Sequence, residues 1–303
     1  MNRQVSNADQ IVSAKRYVLL DGKENGLEVL DCNNGRLRFL LNVTKALDVM
    51  QVYHKGVNVS FVSKNGFSAD KTGFSTGFEG GMIYTCGLDN VGEREGYETH
   101  GTFHNTPAKI LRVVCDDENG IEVVAEIKDT VLFGKNIKMI RTIKSGMNSD
   151  VLSLHDELVN EGYRDEKYAI LYHVNIGYPM LDSCSKVQFA PSLVIPRNDL
   201  SAKKQDAMFE ITRPFDNQEE TCYTVRMKKP QAKVTNEKLG KELTLDYSQE
   251  TLPYFIEWKS MASGDYALGL EPSNTMLDGD FKYKTLLKGE SVAFDVKLTV
   301  KDL

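Results

Sequence analysis

Short runs of alternating apolar and polar residues, broken by Gly, Asn and Asp, recur from one end of this chain to the other. The segment Arg36-Leu-Arg-Phe-Leu-Leu-Asn-Val43 places Leu37, Phe39 and Leu41 on one face, and Val57-Asn-Val-Ser-Phe61 alternates cleanly. Ile110 to Cys115 and Ile121 to Ile127 flank Asp116-Asp-Glu-Asn-Gly120, the composition of a hairpin turn. Further strand signals follow at 137–143, 151–159, 187–190, 222–225, 243–247, 254–258, 266–271 and 292–300. Stripes of period 3.6 are nearly absent, and only Asp9 to Tyr17 suggests a short helix. Many short strands without intervening helices predict an all-β protein, a large antiparallel β-sandwich or barrel rather than a wound α/β sheet. No repeat of fixed period is visible, which argues against a propeller or β-helix.

A length of 303 residues suits one large domain or two ordinary ones. The stretch Arg197 to Gly240 is dense in Lys, Asp, Glu and Gln, yet its flanks and Cys222 to Val225 look integrated, so no boundary is placed there. A net charge of −6 and a pI near 5.5 remove the electrostatic footprint of a nucleic-acid binder. No apolar run has the length of a signal peptide or a bilayer span, so no membrane partner is expected. The five cysteines are scattered and form no CxxC pair, giving neither a disulfide framework nor a zinc ribbon. A reduced, cytoplasmic setting is the expectation. An exposed sheet edge or apolar patch could pair two copies as a homodimer.

Two strands each deliver one chemically active side chain. In Tyr168-Ala-Ile-Leu-Tyr-His173-Val-Asn175-Ile-Gly-Tyr-Pro179, the run is apolar on both sides, so His173 and Asn175 are costly unless they reach a polar cavity. The bland reading is a core histidine bonded to a carbonyl. In Tyr266-Ala-Leu-Gly-Leu-Glu271-Pro-Ser-Asn274, a carboxylate closes an apolar strand, where desolvation would raise its pKa toward that of a general base. A salt bridge to Lys259 or an arginine explains it without function. Trp258, the only tryptophan, sits beside Lys259 and suits stacking on a sugar ring, although a lone Trp is commonly core. Lys45 and Asp48 offer a charge pair between two strands, or a plain surface turn.

The remaining histidines divide. His155, beside Asp156 and Glu157 in an alternating strand, reads as solvated or cross-strand paired, and His54 as a turn residue. His100 and His104 follow a glycine-rich stretch from Gly80 to Gly92, with Gly77 in its lead-in, which reads either as the wall of a site or as ordinary tight turns. The spacing His100-x3-His104 would ligate a metal on a helix, but Gly101 and Pro107 argue against one, and no metal site is assigned.

Together, Gly80-Gly-Met-Ile-Tyr-Thr-Cys-Gly-Leu-Asp-Asn90-Val-Gly92, His100-Gly, Leu171-Tyr-His-Val-Asn-Ile-Gly-Tyr-Pro179 and Gly269-Leu-Glu-Pro-Ser-Asn274 resemble a branch of the aldose 1-epimerase (galactose mutarotase-like) superfamily. The resemblance runs from about Gly26 to the end. It implies one β-supersandwich domain over 26–303, with 1–25 as an N-terminal extension packed on it, and a carbohydrate cleft on a concave sheet. It also implies a mechanism without a cofactor: Glu271 takes the proton of the anomeric hydroxyl, and His173 protonates the ring oxygen. His100 would hold the ring oxygen or a hydroxyl, or share the acid role. Asn175, Asp48, Lys45, Asn90, Trp258 and Lys259 would contact substrate. The superfamily arginine near the first site segment has no clear counterpart, so Lys45 or Lys259 would replace it as a point charge without the bidentate fork. The usual His-xx-Phe-Asn-Leu context after the acid is also replaced, here by His173-Val-Asn-Ile-Gly-Tyr-Pro.

Three readings of function stay open: an aldose 1-epimerase-like isomerase, a carbohydrate-binding or sensing protein that does not catalyse, and another sugar-acting enzyme of lyase or lactonase type. A phosphorylated substrate would call for an arginine-rich rim, for which Arg94, Arg197 and Arg213 are scattered candidates.

Overall fold

In the computed structural model, which describes residues 3–277 and 279–303, the alternating runs become strands joined by tight turns. In chain order these are β1 (Ser13–Val18), β2 (Glu28–Asn33), β3 (Leu37–Asn42), β4 (Asp48–His54), β5 (Val57–Asn58), β6 (Ile83–Leu88), β7 (Lys109–Asp116), β8 (Gly120–Thr130) and β9 (Asn136–Ser145). There follow β10 (Val151–Asn160), β11 (Glu166–Ile176), β12 (Lys186–Pro196), β13 (Thr221–Asn236), β14 (Lys241–Tyr247), β15 (Tyr254–Ala262), β16 (Asp265–Ser273), β17 (Lys284–Leu286) and β18 (Ser291–Asp302). Helix is confined to short pieces such as Phe74–Gly77 and Asp199–Lys203, and among the described residues no helix is long and apolar enough to cross a membrane.

Among the described residues the pairings between these strands are antiparallel, and one isolated bridge, Phe215 to Ala262, is parallel. One run of neighbours is β1-β2-β3-β4-β6-β11-β16-β15-β13, and another is β13-β14-β18-β10-β9-β8-β7. The long hairpin β12–β13 joins them. The first half of β13 pairs with β15 and the second half with β14, while register shifts around Pro191 bend β12 alongside. This is a large antiparallel sandwich, and its core is made by alternation: Ile121, Val123, Ala125 and Ile127 of β8 and Phe294, Val296, Leu298 and Val300 of β18 all point inward.

The centre of the first sheet is buried on both faces. Along β11, Ile170, Tyr172, Val174 and Ile176 enter the main core, whereas Ala169 and Leu171 join a smaller apolar cluster on the opposite face with Cys86, Cys222 and Ile256. That second cluster is the floor on which the polar residues of the site stand.

One local expectation fails. The segment Asp9 to Tyr17 is not a helix: only Ala8–Gln10 makes a 3₁₀ turn, and from Ser13 the chain pairs with β2 in register Ser13–Asn33 to Val18–Glu28. Tyr17 and Val18 favour a pleated strand, and the edge of β2 supplies the hydrogen bonds. His54 does stand at the turn between two strands, as the last residue of β4 paired with Val57, and it is buried, with Asp150 3.1 Å from Nε2 and Lys241 Nζ 2.9 Å from Nδ1. His155 pairs across strands with Asp295 at 2.7 Å.

Candidate functional site

Register sets the central pair. β11 and β16 pair Leu171 with Ser273 and Val174 with Leu270, which leaves His173 directly opposite Glu271. His173 also faces Tyr84 on β6, and Glu271 faces Ile256 on β15. Both side chains emerge on the face away from the main core, at the bottom of a cleft of about 630 Å³. His173 Nε2 lies 3.3 Å from Glu271 Oε1, and both residues are at least 95% buried. His173 Nδ1 and Glu271 Oε1 accept or donate no hydrogen bond within the described residues. Two polar atoms at the base of a cavity are thereby left for something other than the fold.

The glycine of Gly269-Leu-Glu271 has a steric reason. A Cβ at Gly269 would stand 2.2 Å from Glu271 Oε1 and 3.1 Å from Trp258 Cε3. Gly269 pairs with Asn175 on one side and Trp258 on the other, so it opens the gap into which the carboxyl turns.

Aromatic rings enclose the pair. The His173 ring lies 5.5 Å from Trp258, 5.6 Å from His100 and 5.3 Å from Phe78. The Trp258 indole N–H donates to Glu220 at 2.7 Å, which fixes the ring plane at the cleft wall. His100 sits at positive φ and is held by its backbone, which donates to Gly92 O and accepts from Gly87 N–H. Gly101 follows, also at positive φ, where a Cβ would meet Gly87 O at 2.3 Å.

Burial moves the two central groups in opposite directions. It pushes the Glu271 carboxyl well above its usual range, and the nearby carboxyls of Glu220 and Glu257 add to this while Arg197 opposes it. Burial and the His100 ring hold the His173 imidazole well below its ordinary value. His100 itself is pushed down to about 4 by burial and by Arg197, so it is a neutral imidazole at pH 7.

Glu271, His173, His100 and Trp258 therefore share one cleft, and Arg197 and Glu220 line it as well. The other residues expected to touch substrate lie elsewhere. Lys45 is buried and pairs with Glu79 at 3.2 Å rather than with Asp48. Asp48 is buried beneath the sheet, where it accepts from Arg141 at 2.6 Å, from His104 at 2.8 Å and from the Thr85 amide and hydroxyl. Burial alone would raise its pKa, but the bonds from His104, Arg141 and Thr85 bring it below the usual carboxylate value. Asn90 bonds the carbonyls of Gly92 and Glu98 and braces the loop that carries His100. Asn175 donates to the His173 carbonyl at 2.9 Å. Lys259 projects from the opposite face of β15, where Nζ donates to Met208 and Glu210 carbonyls and stands 3.8 Å from Glu257.

The glycine-rich stretch runs past the site rather than lining it. Gly80 and Gly81 sit at positive φ before β6, and the cleft wall comes from Phe74 and Phe78 upstream and from Glu93 and His100 downstream. The two histidines of the His-x3-His spacing diverge, His100 to the cleft and His104 to Asp48. Among the described residues no group of three or more His, Cys, Asp or Glu could hold a metal ion.

This arrangement can be set beside known proteins. The chain is similar to a proposed aldose 1-epimerase from Klebsiella pneumoniae, with a TM-score of 0.85 and 22% identity over 97% of this chain and 86% of that one. A galactose mutarotase-like protein from Clostridium acetobutylicum aligns with a TM-score of 0.70 and 13% identity, covering 97% of this chain and 100% of its own. A galactose mutarotase related enzyme from Lactobacillus acidophilus gives 0.64 and 11%, covering 90% and 97%. At these identities the likeness shows the fold. Compared with curated protein sequences, the chain matches none. Residues 24–300 match the model of one family, and the chain belongs to it: the domain of unknown function DUF4432, here carried on a galactose mutarotase-like fold.

Proposed function

We propose that the cleft binds an aldose in its ring form and interconverts its anomers by general acid–base ring opening, as an isomerase of the aldose 1-epimerase type. The observation that carries this reading is the in-register pair His173–Glu271, 3.3 Å apart on the cleft floor. The anomeric hydroxyl and the ring oxygen are bonded to the same carbon, so a base and an acid that serve them must converge on neighbouring atoms. Glu271 as carboxylate removes the hydroxyl proton while His173, as imidazolium, gives one to the ring oxygen. The bond from the anomeric carbon to the ring oxygen breaks and an aldehyde forms. Rotation about the adjacent carbon–carbon bond and the reverse transfers close the ring as the other anomer.

The proton count suits the site. Ring opening takes one proton and gives one, so the pair starts and ends with a single proton between its two members. Opposite shifts on Glu271 and His173 favour a one-proton pair with the proton on Glu271 in the free cleft. The reaction therefore begins with its transfer across the 3.3 Å to His173, which leaves the carboxylate as base and the imidazolium as acid. Each positioned transfer is worth about 10²–10⁴-fold in rate. His100, neutral, bonds a sugar hydroxyl, Trp258 stacks on the ring, and Arg197 supplies the fork that Lys45 and Lys259 do not bring to the cleft. The reaction is an isomerisation and consumes no cofactor.

Polarimetry on freshly dissolved anomers of a panel of aldoses tests this reading. Enzyme-dependent acceleration toward the equilibrium rotation is expected for at least one sugar. Binding of sugars with no acceleration of any would instead favour a non-catalytic carbohydrate-binding protein.

A further inference from the structure

The face of β13 and β15 turned away from the cleft carries a second polar cluster, which the proposed chemistry does not use. These strands pair Thr221 with Lys259 and Tyr223 with Glu257. Four polar side chains therefore form a two-by-two array on one side of the sheet, while Cys222 and Trp258 line the cleft on the other. Tyr223 and Glu257 are fully buried. Among the described residues Tyr223 Oη, Thr221 Oγ1 and both carboxyl oxygens of Glu257 make no hydrogen bond. Buried oxygens in that state call for a donor.

A separate cavity of about 250 Å³ reaches this array. Tyr223 and Lys259 line it from the buried side, Glu210 and Glu219 from the exposed side, and Phe215 and Met261 supply apolar wall. The Lys259 ammonium donates to the carbonyls of Ala207, Met208 and Glu210 at 3.4, 2.7 and 2.9 Å, so its hydrogens are spent inside the protein. Glu257 stands 3.8 Å from it, beyond hydrogen-bond length. Burial pushes the Glu257 carboxyl up to about 7 despite that lysine.

On or just behind the wall, three carboxylates, Glu210, Glu219 and Glu257, thus stand against two ammonium groups, Lys204 and Lys259. An anion would face those carboxylates and gain no hydrogen bond from Lys259. Among the described residues no group of His, Cys, Asp and Glu would hold a metal ion here. A positive charge that carries its own N–H donors matches the excess of acceptors.

We infer that this cavity is a second ligand site, for a small primary ammonium compound. At the ~30 Å³ share of a liquid water for each heavy atom, it holds no more than about eight of them. The ammonium group bonds Tyr223 Oη and the carboxylates, and the carbon chain lies on Phe215 and Met261. The site stands independently of the anomerase reading, yet the chain joins it to the cleft. Gln218 lines both cavities, Glu219 lines the second, and Glu220 accepts the Trp258 N–H. Occupancy against 218–219 is therefore felt at the indole.

Saturation-transfer NMR with ethylamine, ethanolamine and 1,4-diaminobutane, beside acetate and glycerol, reads the site. The same titrations are run on wild type, Tyr223→Phe, Glu210→Gln/Glu219→Gln and Glu271→Gln. Tyr223→Phe keeps the buried ring, and the double variant alters only exposed side chains, so at least one of them folds and decides. At least one amine is expected to bind saturably, with Kd raised about tenfold in each of these two variants, the scale of one hydrogen bond to a charged group. Saturation should also change Trp258 emission, and binding with silent emission would overturn the link to the cleft. Failure of every amine to bind, or preference for acetate or glycerol, would overturn the site. Binding that both variants leave unchanged, or that Glu271→Gln alone weakens, would place the amine in the cleft and overturn the second site as well.

Discussion

Glu271 and His173 stand opposite each other on neighbouring antiparallel strands with 3.3 Å between Oε1 and Nε2, at the bottom of a cleft that the fold lines with aromatic rings. Because register fixes the pairing, neither residue can shift without moving the whole of β11 or β16. The pair is buried and fixed by the fold rather than a chance surface contact.

The pH dependence follows from the two shifts. A second proton joins the pair only below the depressed His173 range, under the ordinary 6.5, and the last proton leaves only above the usual carboxylate value of 4.5, which burial raises. A bell-shaped kcat/KM is expected, with its acid limb below 6.5 and its alkaline limb above 4.5. A single limb centred near 6.5, as for an unperturbed histidine, would contradict this assignment.

Burying Glu271 costs stability. Its folded pKa is raised, so above pH 4.5 the unfolded chain gains from ionising this group and the folded chain does not. Glu271→Gln is therefore expected to raise Tm at pH 7, by an amount that shrinks as pH falls toward 4.5. A lower Tm at every pH would show that the carboxyl is held by the fold and not strained against it.

Gly269 is a test of geometry alone. In Gly269→Ala the new methyl meets Glu271 Oε1 at 2.2 Å, so the carboxyl must turn away from His173. We expect at least a tenfold loss of kcat with a stability change of about 1–3 kcal/mol, the usual scale for overpacking. Full activity in this variant would mean that the position of the carboxyl is not critical.

Trp258 reports on the cleft because it is the only tryptophan. Its ring lies 5.5 Å from His173 and its N–H is bonded to Glu220. Titration with a bound sugar should change intrinsic fluorescence, and Trp258→Phe should remove the signal and raise KM several-fold. A substrate that leaves the emission unaltered would place its ring away from the indole.

Much of the architecture is legible in the sequence because alternation is a local property. Ile121, Val123, Ala125 and Ile127 announce one face of β8, and Asp116 to Gly120 announces the turn before it. The site is legible only where a residue conflicts with its own strand, as His173 and Glu271 do. Lys45 and Asp48 raise the same conflict, but their partners Glu79 and Arg141 are remote in sequence, and no local pattern reveals that the charges cancel there. Lys259 and Trp258 are adjacent, and period-2 geometry sends them to opposite faces of β15, so only one reaches the cleft. Arg197 and Glu220 lie in a uniformly polar stretch that gives no contrast. Arg197 directly follows β12 and Glu220 directly precedes β13, and pairing of β13 with β15 brings Glu220 to Trp258.

Exchange NMR between the anomers of a turned-over sugar, in wild type and in Glu271→Gln, tests the central claim most directly. The account predicts enzyme-dependent exchange that falls by about 10²–10⁴-fold in the variant while sugar binding persists. Exchange that survives the substitution would show that Glu271 is not the base, and that the His173–Glu271 pair is not the catalytic centre.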